Sequence, residues 1–187
     1  MSLISVNNLS FSYDNVFDMI FENVSFQIDT DWKLGFIGRN GRGKTTFLNL
    51  LLGKYAYSGN ISSTVKFECF PYDVEDKSLY TIEVMKSICT ECMDWEIFRE
   101  ISLLDVQEDA LYRPFNTLSN GEQTKVLLAS LFLTTSCFLL IDEPTNHLDL
   151  DARNVVQNYL KRKKGFILVS HDRSLLDQCV DHILSIN

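Results

Sequence analysis

The sequence predicts one α/β domain built on a parallel sheet, with an antiparallel β part near its N-terminus and a helical insert. Three patterns support this prediction. In the second half of the 187-residue chain, short apolar runs alternate with amphipathic stretches, which is the order of a parallel sheet covered by helices. Residues 1–30 instead alternate apolar and polar side chains, as antiparallel strands do. Residues of about 76–118 repeat apolar side chains at helical spacing.

The elements before the insert follow from apolar periodicity and turn residues. Residues 3–13 and 20–28 predict two antiparallel strands, and residues 32–37 predict a buried strand. A helix over residues 46–52, stopped by Gly53, a turn at Ser58-Gly59-Asn60 and one or two strands over 61–70 come next. We therefore assign about 1–30 and 58–71 to the antiparallel part.

The insert is predicted to be helical from Thr81 to about Leu104. Cys89 and Cys92 lie in it as a lone C-x-x-C motif, and no second pair stands at zinc spacing. Packing or exposure is favoured over a metal site, and reduced thiols are the default for an intracellular protein.

The core sheet resumes after the insert. An amphipathic helix is predicted after Gln123, followed by an alternation of strands and helices that ends the chain. The predicted strands are 137–141, 165–169 and 182–186, with helices over about 150–161 and between the last two strands.

A glycine-rich stretch joins the strand at 32–37 to the helix that follows it. It fits the pattern G-x-x-x-x-G-K-[ST], in which backbone N–H groups and a helix N-terminus attract phosphate. Lys44 is expected to reach the β- and γ-phosphates of a nucleotide, and the Thr45 hydroxyl to hold Mg²⁺. An ordinary glycine-rich turn is the alternative. The nucleotide-binding residues are predicted to be Gly38, Arg39, Asn40, Gly41, Arg42, Gly43, Lys44, Thr45 and Thr46.

Polar residues follow two later strands. Asp142 is placed to hold Mg²⁺ together with Thr45, and Glu143 to polarise a water for attack on the γ-phosphate. His171 follows the next strand and could bind the γ-phosphate or that water. Because ligands bind at the carboxyl ends of parallel strands, these residues should converge with Gly38. An acidic strand end or a helix cap is the alternative for each alone.

Composition and charge argue against some classes of function. The formal net charge of −8 argues against a nucleic-acid binder that uses its whole surface. The basic run at 161–164 ends a predicted helix, where a solvated helix end is favoured over an RNA contact. No apolar run approaches a membrane span, and the N-terminus lacks the features of a signal peptide. A cytoplasmic location is expected.

Five motifs in order resemble an ATP-binding cassette (ABC) ATPase domain. They are the Walker A, the signature, the Walker B, the D-loop and the H-loop, which lie at 38–46, 118–123, 137–143, 146–149 and 170–171. The resemblance implies an ABC-type P-loop fold, ATP and Mg²⁺ as cofactors, and Glu143 and His171 as catalytic residues. It also implies that Tyr13 stacks on adenine and that Asp149 serves in the D-loop. The signature residues, which act on a partner's ATP, would be Leu118, Ser119, Asn120, Gly121, Glu122 and Gln123.

Residues 143–149 and 170–173 are similar to the ABC-F branch, whose members lack membrane domains and act on ribosomes. Asn146-His147 stands where transporter cassettes usually carry Ser-Ala. Residues 32–35, 103–118 and 165–173 are similar to members that protect ribosomes from lincosamides, streptogramins A and pleuromutilins. The alternative is the ATPase subunit of an ABC membrane transporter.

Two residues depart from the family pattern. Asn120 replaces the usual signature glycine, and asparagine tolerates left-handed dihedrals better than most residues. Tyr72 stands where the family has the Q-loop glutamine. The family pairs two cassettes over ATP, and this chain has one copy of each motif. We therefore expect the first cassette of a longer two-cassette protein, and a monomer when it is isolated.

Overall fold

A computed structural model of the protein describes residues 2–13, 18–39, 43–146 and 148–186. Within these residues the chain forms eight strands and six α-helices. The strands are β1 (Leu3–Phe11), β2 (Phe21–Asp29), β3 (Lys33–Gly38), β4 (Ser58–Ser62), β5 (Lys66–Phe70), β6 (Cys137–Asp142), β7 (Phe166–Val169) and β8 (His182–Ile186). The helices are α1 (Lys44–Leu51), α2 (Thr81–Ile88), α3 (Asp94–Leu103), α4 (Asn120–Leu133), α5 (Leu150–Lys161) and α6 (Arg173–Cys179). Two short 3₁₀ helices, Glu108–Tyr112 and Phe115–Thr117, precede α4.

The antiparallel sheet has the order β2-β1-β4. Ile4 pairs with Ile28 and Val6 with Phe26, so the alternation in both strands puts one row of apolar side chains on the inner face. The antiparallel pair predicted at 3–13 and 20–28 is confirmed. The turn predicted at 58–60 is wrong, because these residues form the start of β4 and pair with β1.

The five-stranded sheet has the order β5-β6-β7-β3-β8, and all its strands run parallel. Every residue of β7 is buried, as expected of a central strand covered on both faces. One boundary was wrong: residues 66–70 pair in parallel with β6 and belong to this sheet rather than to the antiparallel part. The predicted α/β class with a parallel core sheet is confirmed.

Two apolar cores lie on opposite faces of the parallel sheet. One packs the antiparallel sheet and α1 against it, with Phe36 and Phe47 almost fully buried at its centre. The other packs the helices of the insert and α4, α5 and α6 against the second face. Among the described helices, none combines the length and the apolar character that crossing a bilayer requires.

The insert contains two helices rather than one continuous helical stretch. α2 ends at Ile88, and the turn that follows brings the Cα atoms of Cys89 and Cys92 to 5.5 Å from each other. The two cysteines form a disulfide, so the expectation of reduced thiols is wrong for this pair. The disulfide closes the turn between α2 and α3, which is why the motif serves local structure here.

The basic run is less solvated than predicted. Lys163 donates to Glu100 of the insert at 2.5 Å, and its side chain is only 18% exposed. Lys161 donates to Gln178 of α6 at 2.5 Å. Two of the four cations at 161–164 therefore join α5 to neighbouring helices.

Candidate nucleotide site

A cavity of about 650 Å³ opens where the carboxyl ends of β6 and β7 meet the N-terminus of α1. Because parallel strands end at the same edge of a sheet, residues from distant parts of the chain converge there. Its lining consists of Tyr13, Ile20, Gly43, Lys44, Thr45, Thr46, Pro71, Asp142, Glu143, Asn146, Val169 and His171.

Lys44 is the first residue of α1 and is only 8% exposed. Its ammonium group donates to the carbonyls of Gly38 at 2.7 Å and Arg39 at 3.2 Å. It makes no ion pair with any described residue. A buried cation that contacts only neutral oxygens is stabilised by an incoming anion.

Gly43 caps α1 in the left-handed region, at φ +94°. A Cβ atom at this position would lie 2.5 Å from Cγ2 of Ile20 and 3.1 Å from the ring of Phe21. Glycine is required for both reasons, since an L side chain disfavours this dihedral and would collide with β2 and the residue before it. The close approach lets the antiparallel part form one wall of the cavity.

Thr45 and Asp142 lie opposite each other. The Thr45 hydroxyl donates to Oδ2 of Asp142 at 3.0 Å, so a hydroxyl and a carboxylate from α1 and β6 meet at the cavity. Both are the hard oxygen donors that Mg²⁺ prefers.

Glu143 follows β6 with an unusual backbone. Its φ is +50°, and its backbone N–H donates to the carbonyl of Val169 at 2.9 Å, which continues the pairing with β7. Its Oε2 accepts from the Ser170 hydroxyl at 3.4 Å and from the His171 backbone N–H at 3.3 Å. These contacts from the residues that follow β7 hold the carboxylate at the cavity wall.

The second carboxylate oxygen of Glu143 is different. Oε1 is buried and, among the described residues, receives no hydrogen bond, although Nε2 of His171 lies 3.3 Å away. A buried oxygen without a donor is costly, so a polar group that enters the cavity would be bound there.

Tyr13 reaches the cavity from the end of β1. Its hydroxyl is 2.8 Å from the Thr46 hydroxyl, so the ring is tied to the first turn of α1. Its ring packs edge-on against Phe11 at 5.1 Å and Tyr55 at 5.6 Å between centroids. Tyr13 as a whole is 37% exposed, which leaves room for a planar ligand.

The signature residues, 118–123, and Asp149 are not among the described residues that line this cavity. Ser119 caps α4 in a capping box with Glu122, and Asp149 caps α5 by accepting from the Ala152 N–H at 2.8 Å. The polar groups of these motifs start helices within this chain.

The fold accommodates Asn120 and Tyr72, the two residues that depart from the family pattern. Asn120 lies in the first turn of α4 with right-handed helical geometry, so tolerance of left-handed dihedrals is not needed there. Tyr72 is half-buried and packs against the core beneath the insert, whereas Pro71 beside it lines the cavity. Asparagine at 120 and tyrosine at 72 are thus both accommodated by the fold.

Four lining residues were not predicted as site residues: Ile20, Pro71, Asn146 and Val169. Asn146 lies in the D-loop motif at 146–149, and Pro71 and Val169 directly precede the Q-loop position and the H-loop motif, so these motifs were a usable signal for them. Gly38 and Arg39 contact Lys44 by their carbonyls and line a neighbouring cleft of about 570 Å³ with Arg173. The predictions for Asn40, Gly41, Arg42 and His147 lie outside the described residues.

The described residues fit a nucleotide with Mg²⁺. The buried Lys44 ammonium suits a phosphate, and the Thr45–Asp142 pair suits a divalent cation. Oε1 of Glu143, which lacks a donor among the described residues, can accept a hydrogen bond from a further polar group. A sheet with this order and a glycine-capped helix at its edge define the class of P-loop nucleotide-binding domains.

Within that class, residues 21–146 match the family described as ABC transporter, and the chain belongs to that family. It is an ABC ATPase domain, and membership implies ATP binding and hydrolysis. A solved structure described as a putative ABC transporter ATP-binding protein from Pyrococcus furiosus superimposes with a TM-score of 0.80. It shares 21% identity, with 98% of this chain and 96% of that chain covered, and so confirms the fold.

Two curated relatives carry more specific names. ATP-binding cassette sub-family F member 2 of Mus musculus is 32% identical over 192 residues, which cover 97% of this chain and 30% of the mouse protein. ATP-binding protein Uup of Buchnera aphidicola subsp. Schizaphis graminum is 32% identical over 192 residues, which cover 96% of this chain and 32% of that protein. The chain thus spans about three tenths of the length of these relatives.

Proposed function

We propose that this chain is the ATP-binding and ATP-hydrolysing cassette of an ABC-F protein that acts on the ribosome. The observation that carries the ATPase part is the pair of buried groups at one cavity: the Lys44 ammonium, which contacts neutral carbonyls and no described carboxylate, and Oε1 of Glu143, which receives no hydrogen bond from a described residue. The ABC-F part is supported by the sub-family F name of a relative at 32% identity.

Each residue has a definite task in this proposal. Lys44 and the N-terminus of α1 hold the β- and γ-phosphates. Thr45 and Asp142 would hold Mg²⁺, which when bound neutralises charge on the phosphates. Oε1 of Glu143 accepts a proton of the attacking water and orients it. His171 lies 3.3 Å from Glu143 and is placed to hydrogen-bond the γ-phosphate or that water.

Gly121 supports the idea of a second cassette. It lies in the first turn of α4, where alanine is a better helix former by up to about 1 kcal/mol. A Cβ atom there would meet only Cδ2 of Leu148 at 3.7 Å, an ordinary contact, and φ is not left-handed. The fold of this chain therefore does not require glycine at 121. A ligand that approaches position 121 from outside the chain would require glycine there. ATP bound to another cassette is such a ligand.

The finer part of the proposal is protection of ribosomes against lincosamides, streptogramins A and pleuromutilins. It is supported by the sequence similarity of residues 32–35, 103–118 and 165–173 to proteins with that role. A protein with this activity works in the cytoplasm. The relatives' lengths leave room for a second cassette and for the parts that would contact the ribosome.

The ATPase subunit of a membrane transporter is the second candidate. A transporter cassette couples to its membrane subunit next to the Q-loop, where this chain has the half-buried Tyr72. Tyr72 is occupied in packing under the insert, which favours the ribosomal proposal over the transporter.

Ribosome pelleting separates these candidates. In a full-length protein that carries this cassette, Glu143→Gln should bind ATP without hydrolysing it and should therefore co-sediment with ribosomes when ATP is present, but not when ADP is present. Lys44→Ala is the matched control that should stay in the supernatant under both conditions. Equal recovery of Glu143→Gln with and without ATP would refute action on the ribosome. Unchanged drug sensitivity of cells that make the wild-type protein would refute only the antibiotic-resistance part of the proposal.

A further inference from the structure

A buried carboxylate outside the nucleotide site joins three helices. Glu100 on α3 is only 2% exposed, and Tyr159 on α5 is only 1% exposed. Oε2 of Glu100 accepts from the Tyr159 hydroxyl at 2.5 Å and from Lys163 Nζ at 2.5 Å. Oε1 accepts from Arg99 at 3.2 Å. The carboxylate is thus fully satisfied, in contrast to that of Glu143.

The third helix, α4, contacts these residues through an aromatic ring. Phe132, near the end of α4, packs edge-on against Tyr159 at 5.5 Å between centroids. The Lys163 ammonium lies 4.7 Å from the Tyr159 ring centroid and 5.3 Å from that of Phe132. The charge of Lys163 is therefore held by Glu100 and by two aromatic faces. We call Glu100, Tyr159, Lys163 and Phe132 the three-helix cluster.

Both α4 and α5 begin near predicted functional motifs and end at this cluster. α4 starts next to Ser119 of the signature, and α5 starts at Asp149, shortly after Glu143. At an α-helical rise, Tyr159 lies about 15 Å along α5 from Asp149. The starts of the two helices are also close, since Cδ2 of Leu148 lies 3.7 Å from where a Cβ of Gly121 would be.

The surrounding contacts do not fix one arrangement by themselves. The insert meets α4 and α5 through a continuous apolar core, and apolar contact is non-directional. A buried charge with short hydrogen bonds is directional and is satisfied in one register only. The three-helix cluster is thus the feature that specifies how α3 sits against α4 and α5.

We propose that Glu100 is a positioning residue, which fixes the insert to the ends of α4 and α5 so that ATP binding at Lys44 is transmitted to the signature and the insert. This inference rests on the proposed function, because it assumes that ATP binds in the cavity. Hydrogen exchange read by mass spectrometry tests it, since exchange reports each segment separately and needs no turnover.

The decisive variant replaces the polar cluster by apolar groups of similar size, with Glu100→Met, Tyr159→Phe and Lys163→Met combined. Such replacements of buried ionic clusters are often neutral or stabilising, so the fold should persist. Lys164→Met, at the exposed neighbour of Lys163, is the matched control. Glu100→Gln alone, which keeps the shape of the side chain, is the second variant and should reduce the transmission in part.

In the wild type and in Lys164→Met, Mg²⁺-ATP should slow exchange at 43–47 and also at 94–103 and 119–123. In the apolar variant, ATP should still protect 43–47, while protection of the two distant segments falls about fivefold or more, the low end of usual coupling between sites. Thermal unfolding should show equal or higher stability.

Each other result is decisive. No protection at 43–47 in the wild type would overturn the proposed ATP site itself. Protection of 43–47 without any change in the distant segments of the wild type would overturn the transmission. Undiminished distant protection in the folded apolar variant, or in Glu100→Gln if the apolar variant does not fold, would make Glu100 a purely structural residue.

Discussion

Glu143 combines an unfavourable backbone with an unsatisfied carboxylate oxygen. A non-glycine residue at φ +50° sits in a sparsely populated region, and such residues cluster at functional sites. The conformation turns the chain directly after β6, so that Oε2 faces Ser170 and His171, which follow the neighbouring strand β7. Oε1 is then left for a group in the cavity. In the proposed mechanism, the strained backbone and the free oxygen together prepare the carboxylate for a water.

Tyr55 supports Tyr13 from outside the cavity. Its ring packs edge-on against Tyr13 at 5.6 Å and also contacts Phe11, but it does not line the cavity among the described residues. An aromatic pair of this kind contributes about 0.5–1.5 kcal/mol. Tyr55→Ala should therefore free the Tyr13 ring and weaken ATP affinity by roughly two- to tenfold.

Equilibrium titration with a fluorescent ATP analogue measures this change. Tyr112→Ala, which removes an exposed tyrosine on the insert, is the control and should leave affinity unchanged. If Tyr55→Ala bound the analogue as tightly as the wild type, Tyr55 would have no part in holding Tyr13.

The site residues could be predicted where a function depends on residues at fixed offsets in the sequence. Lys44, Thr45 and Asp142 stand at fixed offsets from a strand end or a glycine, so the sequence predicted their meeting, and Thr45 lies 3.0 Å from Asp142. Tyr55 and Glu100 gave no such signal. Their partners lie elsewhere in the chain, and nothing in a local pattern states that a glutamate among apolar residues will be buried.

The contact between α3 and α5 should make stability depend on pH. Burial raises the pKa of Glu100, but hydrogen bonds from Lys163 and Tyr159 outweigh burial and hold that pKa below its ordinary value of 4.5. Burial and the nearby Glu100 charge raise the pKa of Tyr159 far above its usual range, so Tyr159 remains a donor.

Because the folded-state pKa of Glu100 is depressed, its stabilisation is present above about pH 4.5 and is lost as pH falls through the folded-state value. Glu100→Ala should lower the free energy of unfolding by about 3–5 kcal/mol at pH 7, since it strands Lys163 beside two rings. The difference from wild type should shrink below pH 4. Urea unfolding at pH 7 and pH 3.5 measures both values, and a pH-independent difference would show that the carboxylate charge contributes nothing.

Elements were predictable where periodicity is strong. The strands and helices after residue 118 were found because apolar runs and amphipathic stretches alternate there. The insert was predicted as helical, but its break into α2 and α3 was missed. In α3, Trp95 is 57% exposed, whereas Ile97, Glu100 and Ile101 are buried. Tertiary packing against α4 and α5 decides that face, and local apolar spacing does not contain this information.

At the scale of the whole molecule, the assignment of strands to sheets was the least predictable feature. β4 and β5 are separated by three residues, yet β4 pairs with β1 and β5 pairs with β6 in the other sheet. The sequence shows two strands but not their partners, because pairing is set by long-range contacts. This placement matters for function, since β5 leads directly to Pro71 at the cavity wall.

The 187-residue chain should be monomeric in solution and hydrolyse ATP slowly. Its signature does not line the cavity that holds Lys44, and a partner from solution lacks the effective concentration that a covalent link supplies. Sedimentation velocity with and without Mg²⁺-ATP measures the state directly. A stable ATP-dependent dimer with rapid turnover would show that two copies complete the site without a covalently joined second cassette.

The measurement that tests the central claim is single-turnover hydrolysis of radiolabelled ATP together with direct ATP binding, in the wild type, Lys44→Ala and Glu143→Gln. In the proposed mechanism Lys44 contacts phosphate before the reaction, so Lys44→Ala should lose binding. Glu143 is proposed to act on the water, so Glu143→Gln should bind ATP like the wild type and hydrolyse it about a hundredfold or more slowly. If Glu143→Gln released phosphate at the wild-type rate while Lys44→Ala still bound ATP, this cavity would not be the site of ATP hydrolysis.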